Sequence, residues 1–183
     1  MIRSAFIKNN TVANVIVGTM EGHIPCPDEV GIGWLYDGTR FTPPAAPVPT
    51  QEEQREQIDT VRDERMGAGF VFGGRRYQSR PQDLERITAT GLQAQAAIQD
   101  GTGQVDNLRW HGDDTDFIWI DADNNLVPMD APTVLAFARA ANAHVRAHTL
   151  AARLIKDDIL AGREVVIEND PRWPPRPERE SRE

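Results

Sequence analysis

His144 and His148 stand four residues apart in "AHVRAHTL". On a helix that spacing puts both imidazoles on one face, where they could ligate zinc. The zincin arrangement needs a Glu beside the first His, and Val145 stands there. No further Cys or His cluster lies near in sequence, so the pair reads as a solvated or partner-facing one. "DADNN" places Asp121, Asp123 and Asn125 at the first, third and fifth positions of a calcium loop. Leu126 occupies the position of the turn-forming Gly and Pro132 that of the bidentate Glu. The stretch is then a polar turn whose side chains satisfy nearby amides. "HGDDTD" gathers His111, Asp113, Asp114 and Asp116, a set able to hold a cation or act as paired carboxylates. As a lone acidic loop it is expected to be solvated. "GAGFVFGG" has glycines without the spacing of a dinucleotide loop, no Ser sits in a nucleophile elbow, and Cys26 has no evident His partner. The expectation is no enzyme, no catalytic residue, no metal and no cofactor.

The aromatics have more pattern. "WLYDGTRF" and "FVFGGRRY" align, so that Trp34, Tyr36, Asp37-Gly38 and Phe41 fall on Phe70, Phe72, Gly73-Gly74 and Tyr77. Both predict aromatic β-hairpins with tight turns at the Asp-Gly and Gly-Gly pairs. With Trp119 these rings could form a stacking platform for sugar. The reading preferred is that they form small cores, because a two-stranded unit must bury something to persist. Trp34, Tyr36 and Phe41, together with Trp173 near the C-terminus, are the candidate partner-binding residues.

Around these residues the chain divides into regions. Residues 1–42 read as a small β module of about four strands, with a hairpin at Asn9-Asn10 and "CPDEVGIG" as loop. Residues 43–50 form a Pro-rich linker, extended and semi-rigid. Residues 51–162 form an α+β domain. Thr50 and Glu53 make a capping box for a helix to about 66, on which Ile58, Val61 and Met66 mark a narrow stripe. Ser79-Arg80-Pro81-Gln82 is read as a second capping box, opening a helix to about 99 with Leu84, Ile87, Leu92 and Ile98 on its apolar side. Gly91 in its middle implies the close approach of another element, or a weak point. Two strands or a third hairpin precede the longest helix, which is capped by Asp130 and runs to about Leu160. Val134, Phe137, Ala138, Ala141, Val145, Leu150, Ala152, Leu154 and Ile155 follow its periodicity. Residues 163–183 form an extended Pro-rich, charged tail, disordered by composition unless held by other chains. The fold class expected is α+β: a small N-terminal β-hairpin module, a Pro-rich linker, and a helical domain with β-hairpins and one long C-terminal helix.

Composition narrows the partners. The chain has 183 residues and a net charge of −8, which argues against nucleic acid and anionic membrane surfaces. One cysteine fits a reducing compartment, and no run approaches the length of a membrane span or the pattern of a signal peptide. A cytoplasm, or a particle assembled there, is expected.

Two stretches carry a resemblance. "IKNNTVANVIV" and "GIGWLYDGTRFTPP", followed by the Pro linker, resemble the N-terminal region of proteins encoded in the tail modules of tailed phages and prophages. "RDERMGAGFVFGGRRYQSRPQDLERI", "LRWHGDDTDFIWIDADNNLVPMDAPTVLAFARAANAHVRAH" and "RLIKDDI" resemble a phage-tail-associated domain family of unknown function. The resemblance implies a non-enzymatic tail component, in a fibre, baseplate or tail tip, within an oligomeric assembly of tail proteins in the virion. A tail-fibre assembly chaperone and a carbohydrate-binding host-recognition module are the alternatives.

Overall fold

A computed structural model of the chain describes residues 1–177. The class is α+β, with three helices and antiparallel sheets. The chain forms two compact units, Met1–Val48 and Pro49–Glu183.

The first unit is a five-stranded antiparallel sheet, not a four-stranded one. Its strands are β1 (Arg3–Lys8), β2 (Thr11–Val17), β3 (His23–Cys26), β4 (Leu35–Tyr36) and β5 (Phe41–Thr42), in the order β3-β1-β2-β4-β5. Asn9 and Asn10 take φ of 51° and 60°, the positive values a two-residue hairpin turn needs. The strand missing from the sequence reading is β3, which ends at Cys26 where the stretch read as loop begins. Pro25 disguises it, and the fold accommodates Pro25 because β3 is an edge strand. The core is only Ala5, Val12 and Val30, flanked by partly buried side chains including Trp34 and Phe41.

The second unit is built on α3 (Ala131–Leu160), a spine of 30 residues. Its rise of about 1.5 Å per residue gives it about 45 Å. Asp130 caps it, its Oδ1 accepting from Thr133 N at 2.9 Å while Oδ2 accepts from Asp106 N at 2.9 Å. α1 (Gln51–Gly67) packs on its C-terminal half, where Ile58 and Val61 meet Ala151, Ala152, Ile155 and Ile159. The Thr50–Glu53 capping box is formed in both directions. α2 (Pro81–Gln99) packs on the N-terminal half of α3, with Ile87, Gly91, Ala94 and Ala97 inward. Leu92 and Ile98, expected in that face, are exposed instead. The glycine and alanines let the helices close, and no room is left for longer side chains between them.

Two hairpins cover the end of this helical layer. β6 (Phe70–Phe72) pairs with β7 (Arg75–Tyr77) through a two-residue turn, Gly73-Gly74, with both φ positive. β8 (Ile118–Ile120) pairs with β9 (Leu126–Pro128). Their rings converge on the fully buried Phe137: Tyr77 lies 4.7 Å from it, Trp119 5.1 Å, Phe70 5.3 Å and Phe72 5.5 Å, centroid to centroid. The second capping box is displaced by one residue. Arg80 is the N-cap, its amide donating to Asp83 Oδ2 at 3.1 Å, while the Ser79 hydroxyl donates to the Met66 carbonyl of α1.

Residues 163–177 are not a separate extended tail. They fold back along α1 and α3, and Trp173 enters the cluster around Ile58 and Ile155. Arg172 ties this strap to α3 through Asp158 Oδ2 at 2.6 Å and the Leu154 carbonyl at 3.1 Å. The rest of the expected tail, 178–183, lies outside the described residues. Among the described residues no helix is long and apolar enough to cross a membrane.

Candidate functional site

The sequence-predicted site residues divide between the units. In the first unit Trp34, Tyr36 and Phe41 are all half-buried. Trp34 and Phe41 lean on the small core, and the Trp34 carbonyl accepts from Val12 N at 2.8 Å. Tyr36 stacks on Phe41 across the hairpin at 4.6 Å and donates its hydroxyl to the Gly38 carbonyl at 2.7 Å. The hairpin does not turn on Asp-Gly alone. Tyr36 pairs with Phe41, leaving Asp37–Arg40 as the loop. Asp37 Oδ1 accepts from Arg40 N at 2.7 Å and Thr39 N at 2.8 Å, and those amides hold its pKa below the usual carboxylate range. The echo with "FVFGGRRY" is therefore one of aromatic placement, not of turn type. Leu35 and Ile32, near these residues in sequence, are exposed.

Trp173 belongs to the second unit and is only 6% exposed. Its indole donates to the Ile167 carbonyl at 2.7 Å, its ring stacks near His148, and the Arg65 guanidinium lies 5.5 Å from the ring centroid. The chain's own core occupies the side chain read as partner-binding, because α1 and α3 leave a slot of its size. Arg65 itself is nearly buried, donating to the Glu168 carbonyl at 2.5 Å and to the Pro174 carbonyl at 3.5 Å. Nothing in the sequence marked it, since a lone Arg among helix polar residues reads as solvated.

The imidazoles of His144 and His148 are close, 4.4 Å between centroids, and they are not a solvated pair. His148 is buried, and its Nδ1 donates to the His144 carbonyl at 2.9 Å. His144 Nε2 donates to the Met66 carbonyl at 3.0 Å, so it closes the C-terminus of α1 with the Ser79 hydroxyl. A carbonyl only accepts, so each of these nitrogens carries hydrogen. Burial pushes the His148 pKa down, reinforced by its neighbours His144 and Arg65 and opposed by the His144 carbonyl.

The carboxylates of the loops serve the fold. Asp121 is buried and gathers the β8–β9 turn, accepting from Asp123 N at 2.9 Å, Asn125 N at 2.8 Å and Asn125 Nδ2 at 2.9 Å. Arg75 reaches it from the other hairpin at 3.0 Å. Burial pushes the Asp121 pKa up, but the bonds from Asn125, Arg75 and the Asp123 amide outweigh burial and hold it at about 2. In "HGDDTD" Asp116 pairs with Arg109 at 3.2 Å and Asp113 with His111 at 3.3 Å. Two grooves flank Asp121, of about 410 Å³ beside Trp119 and Arg86 and about 340 Å³ over the Gly73-Gly74 turn. The charges lining the second pair with each other, Arg75 with Asp121 and Arg76 with Asp123 at 3.7 Å. Among the described residues no group of three or more His, Cys, Asp or Glu is placed to hold a metal.

One further surface was not singled out in the sequence. The outer side of α3 carries Ala136, Ala143 and Ala147, with Leu150 58% and Leu154 44% exposed. Arg139, Arg146 and Arg153 border it. A shallow depression of about 250 Å³ lies between Arg139 and Arg146.

No curated protein and no solved structure matches the chain. A family model matches residues 49–171, which cover α1 through α3 and most of the strap. The chain belongs to the family described as "Domain of unknown function (DUF4376)".

Proposed function

We propose that the protein is a non-enzymatic component of a bacteriophage tail, associated with a fibre, baseplate or tail tip and held among other tail proteins. The observation that carries this reading is the resemblance of "GIGWLYDGTRFTPP" and the linker after it to the N-terminal regions of tail-module proteins. The side chains that suggested chemistry add support: His144, His148 and Asp121 are engaged in closing helix ends and turns. The exposed Leu150 and Leu154 on α3 fit a part that assembles with others.

Mass spectrometry of purified particles from cells carrying this gene tests the reading. The expected result is this chain at a fixed stoichiometry in mature particles. Its absence from particles, with co-purification on unassembled fibres, would replace the structural role by that of an assembly chaperone. Saturable binding on a glycan array, lost in a folded Trp34→Ala variant, would replace both by host recognition through the aromatic hairpin.

A further inference from the structure

The outer side of α3 has a repeat that its inner side does not explain. Ala136, Ala140, Ala143, Ala147, Leu150 and Leu154 are spaced alternately by four and three residues. That is the 3.5-residue period of a coiled-coil seam. The core of the unit is built from other positions, Phe137, Ala138, Ala141, Ala151, Ala152 and Ile155. Five of the six seam residues are exposed and Ala140 is half-buried. Leu150 and Leu154 thus lie open on a helix whose inward stripe is already satisfied. From Ala136 to Leu154 the seam runs about 27 Å, at about 1.5 Å per residue.

The charge along it has one sign. Arg139, Arg146 and Arg153 recur every seven residues on one flank, with Asn142, Thr149 and Lys156 beyond them on the same side, while the other flank is Phe137, His144 and Ala151, turned toward the unit's own core. Arg153 is bonded to Asp157 at 2.9 Å. Arg139 and Arg146 have no acidic partner among the described residues. The depression between them is floored by Asn142 and Ala143, and a carboxylate entering it would meet two guanidiniums. This basic row stands out on a chain of net charge −8.

We propose that the outer side of α3 docks an acidic amphipathic helix of a partner protein, its apolar stripe on the Ala/Leu seam and its carboxylates against Arg139 and Arg146. A second copy of α3 is the wrong occupant. An antiparallel copy would set one arginine row against the other, and a parallel copy would direct that row at Phe137, His144 and Ala151, which its own core covers. The proposal rests on α3 alone, so a negative particle experiment leaves it standing.

The test uses the full chain and two synthetic three-heptad helical peptides, both with leucine seams, one flanked by Glu and the other by Lys. The expected result is at least about tenfold tighter binding of the Glu peptide at low salt. The preference shrinks at high salt, as screening requires. Arg139→Glu with Arg146→Glu reverses it, and Leu150→Asp weakens both peptides while circular dichroism stays unchanged. Hydrogen exchange places the protection on the outer side of α3. Equal affinity for the two peptides, no saturable binding of either, or a preference untouched by the arginine reversal would each overturn the proposal. So would concentration-dependent dimers of the chain that Leu150→Asp breaks, since they would make a second copy the occupant.

Discussion

Gly91 of α2 faces Ala138 of α3 so closely that a Cβ added to Gly91 would stand 2.5 Å from the Ala138 Cβ. This contact sets the separation of the two helices at the middle of the larger core. In an isolated helix Gly91→Ala would gain about 1 kcal/mol of propensity. Here the added methyl must force the helices apart, and overpacking of this kind costs about 1–3 kcal/mol. Gly91→Ala is expected to lower the urea midpoint, Gly91→Val to lower it further. Adding Ala138→Gly to Gly91→Ala is expected to recover stability beyond the sum of the single changes. A stabilised Gly91→Ala would mean the helices can separate without loss.

What the sequence disclosed of this fold followed from local chemistry. The ends of α1 and α3 were legible because Thr50, Glu53 and Asp130 satisfy amides within the same helical turn. The Asn9-Asn10 and Gly73-Gly74 turns were legible because few other pairs accept two positive φ angles. The inner side of α2 was legible only at Ile87 and in the close approach at Gly91, since hydropathy favours Leu92 and Ile98 while close helix packing selects Ala94 and Ala97. The strap was illegible for a similar reason. "ENDPRWPP" is polar and Pro-rich, and only the slot between α1 and α3 gives Trp173 a place. The seam on α3 escaped notice because Leu150 and Leu154 were pooled with the inward residues as one helical periodicity, while its four alanines carry little hydropathy of their own.

Trp173 makes the strap part of the fold. Removing a buried Trp side chain costs about 3–5 kcal/mol, and about 2–4 °C of Tm is lost per kcal/mol in a chain of this size. Trp173→Ala is therefore expected to lower Tm by roughly 6–20 °C. Truncation after Ala161 is expected to do at least as much, because Arg172 and its bonds to α3 go as well. Thermal melts by circular dichroism decide this. A Tm within a degree or two of the parent would show the strap to be dispensable.

His148 gives the same region a pH dependence. Its folded pKa lies below its ordinary value of about 6.5, because burial beside Arg65 opposes a second cation. The unfolded chain thus binds a proton at higher pH than the folded chain. Stability is full above about pH 6.5 and declines as pH falls from there toward the folded pKa. The groups around the imidazole are His144, Arg65 and Trp173, and among the described residues no carboxylate is bonded to the ring to reward protonation. Urea midpoints measured from pH 8 to pH 5 are expected to fall, and His148→Gln to flatten the fall. An equal slope in His148→Gln would assign it to other groups.

Asp121 governs a lower range. Its folded pKa of about 2 lies under the ordinary aspartate value of 3.8, so its contribution is full above about pH 4 and is lost as pH falls toward 2. Protonation would weaken the acceptor of the Asp123 and Asn125 amides and the ion pair with Arg75 together. The two hairpins are joined there, so their loosening should come as one event. Carboxyl titration by NMR is expected to give Asp121 a midpoint well below the ordinary aspartate value of 3.8. The Val71 and Val127 resonances should shift with that same midpoint. Asp121→Asn, which cannot carry the charge, is expected to abolish the shared midpoint and leave both hairpins less protected from hydrogen exchange at pH 7. If Asp121 titrates with the exposed carboxylates, the linkage between the hairpins through its charge is wrong.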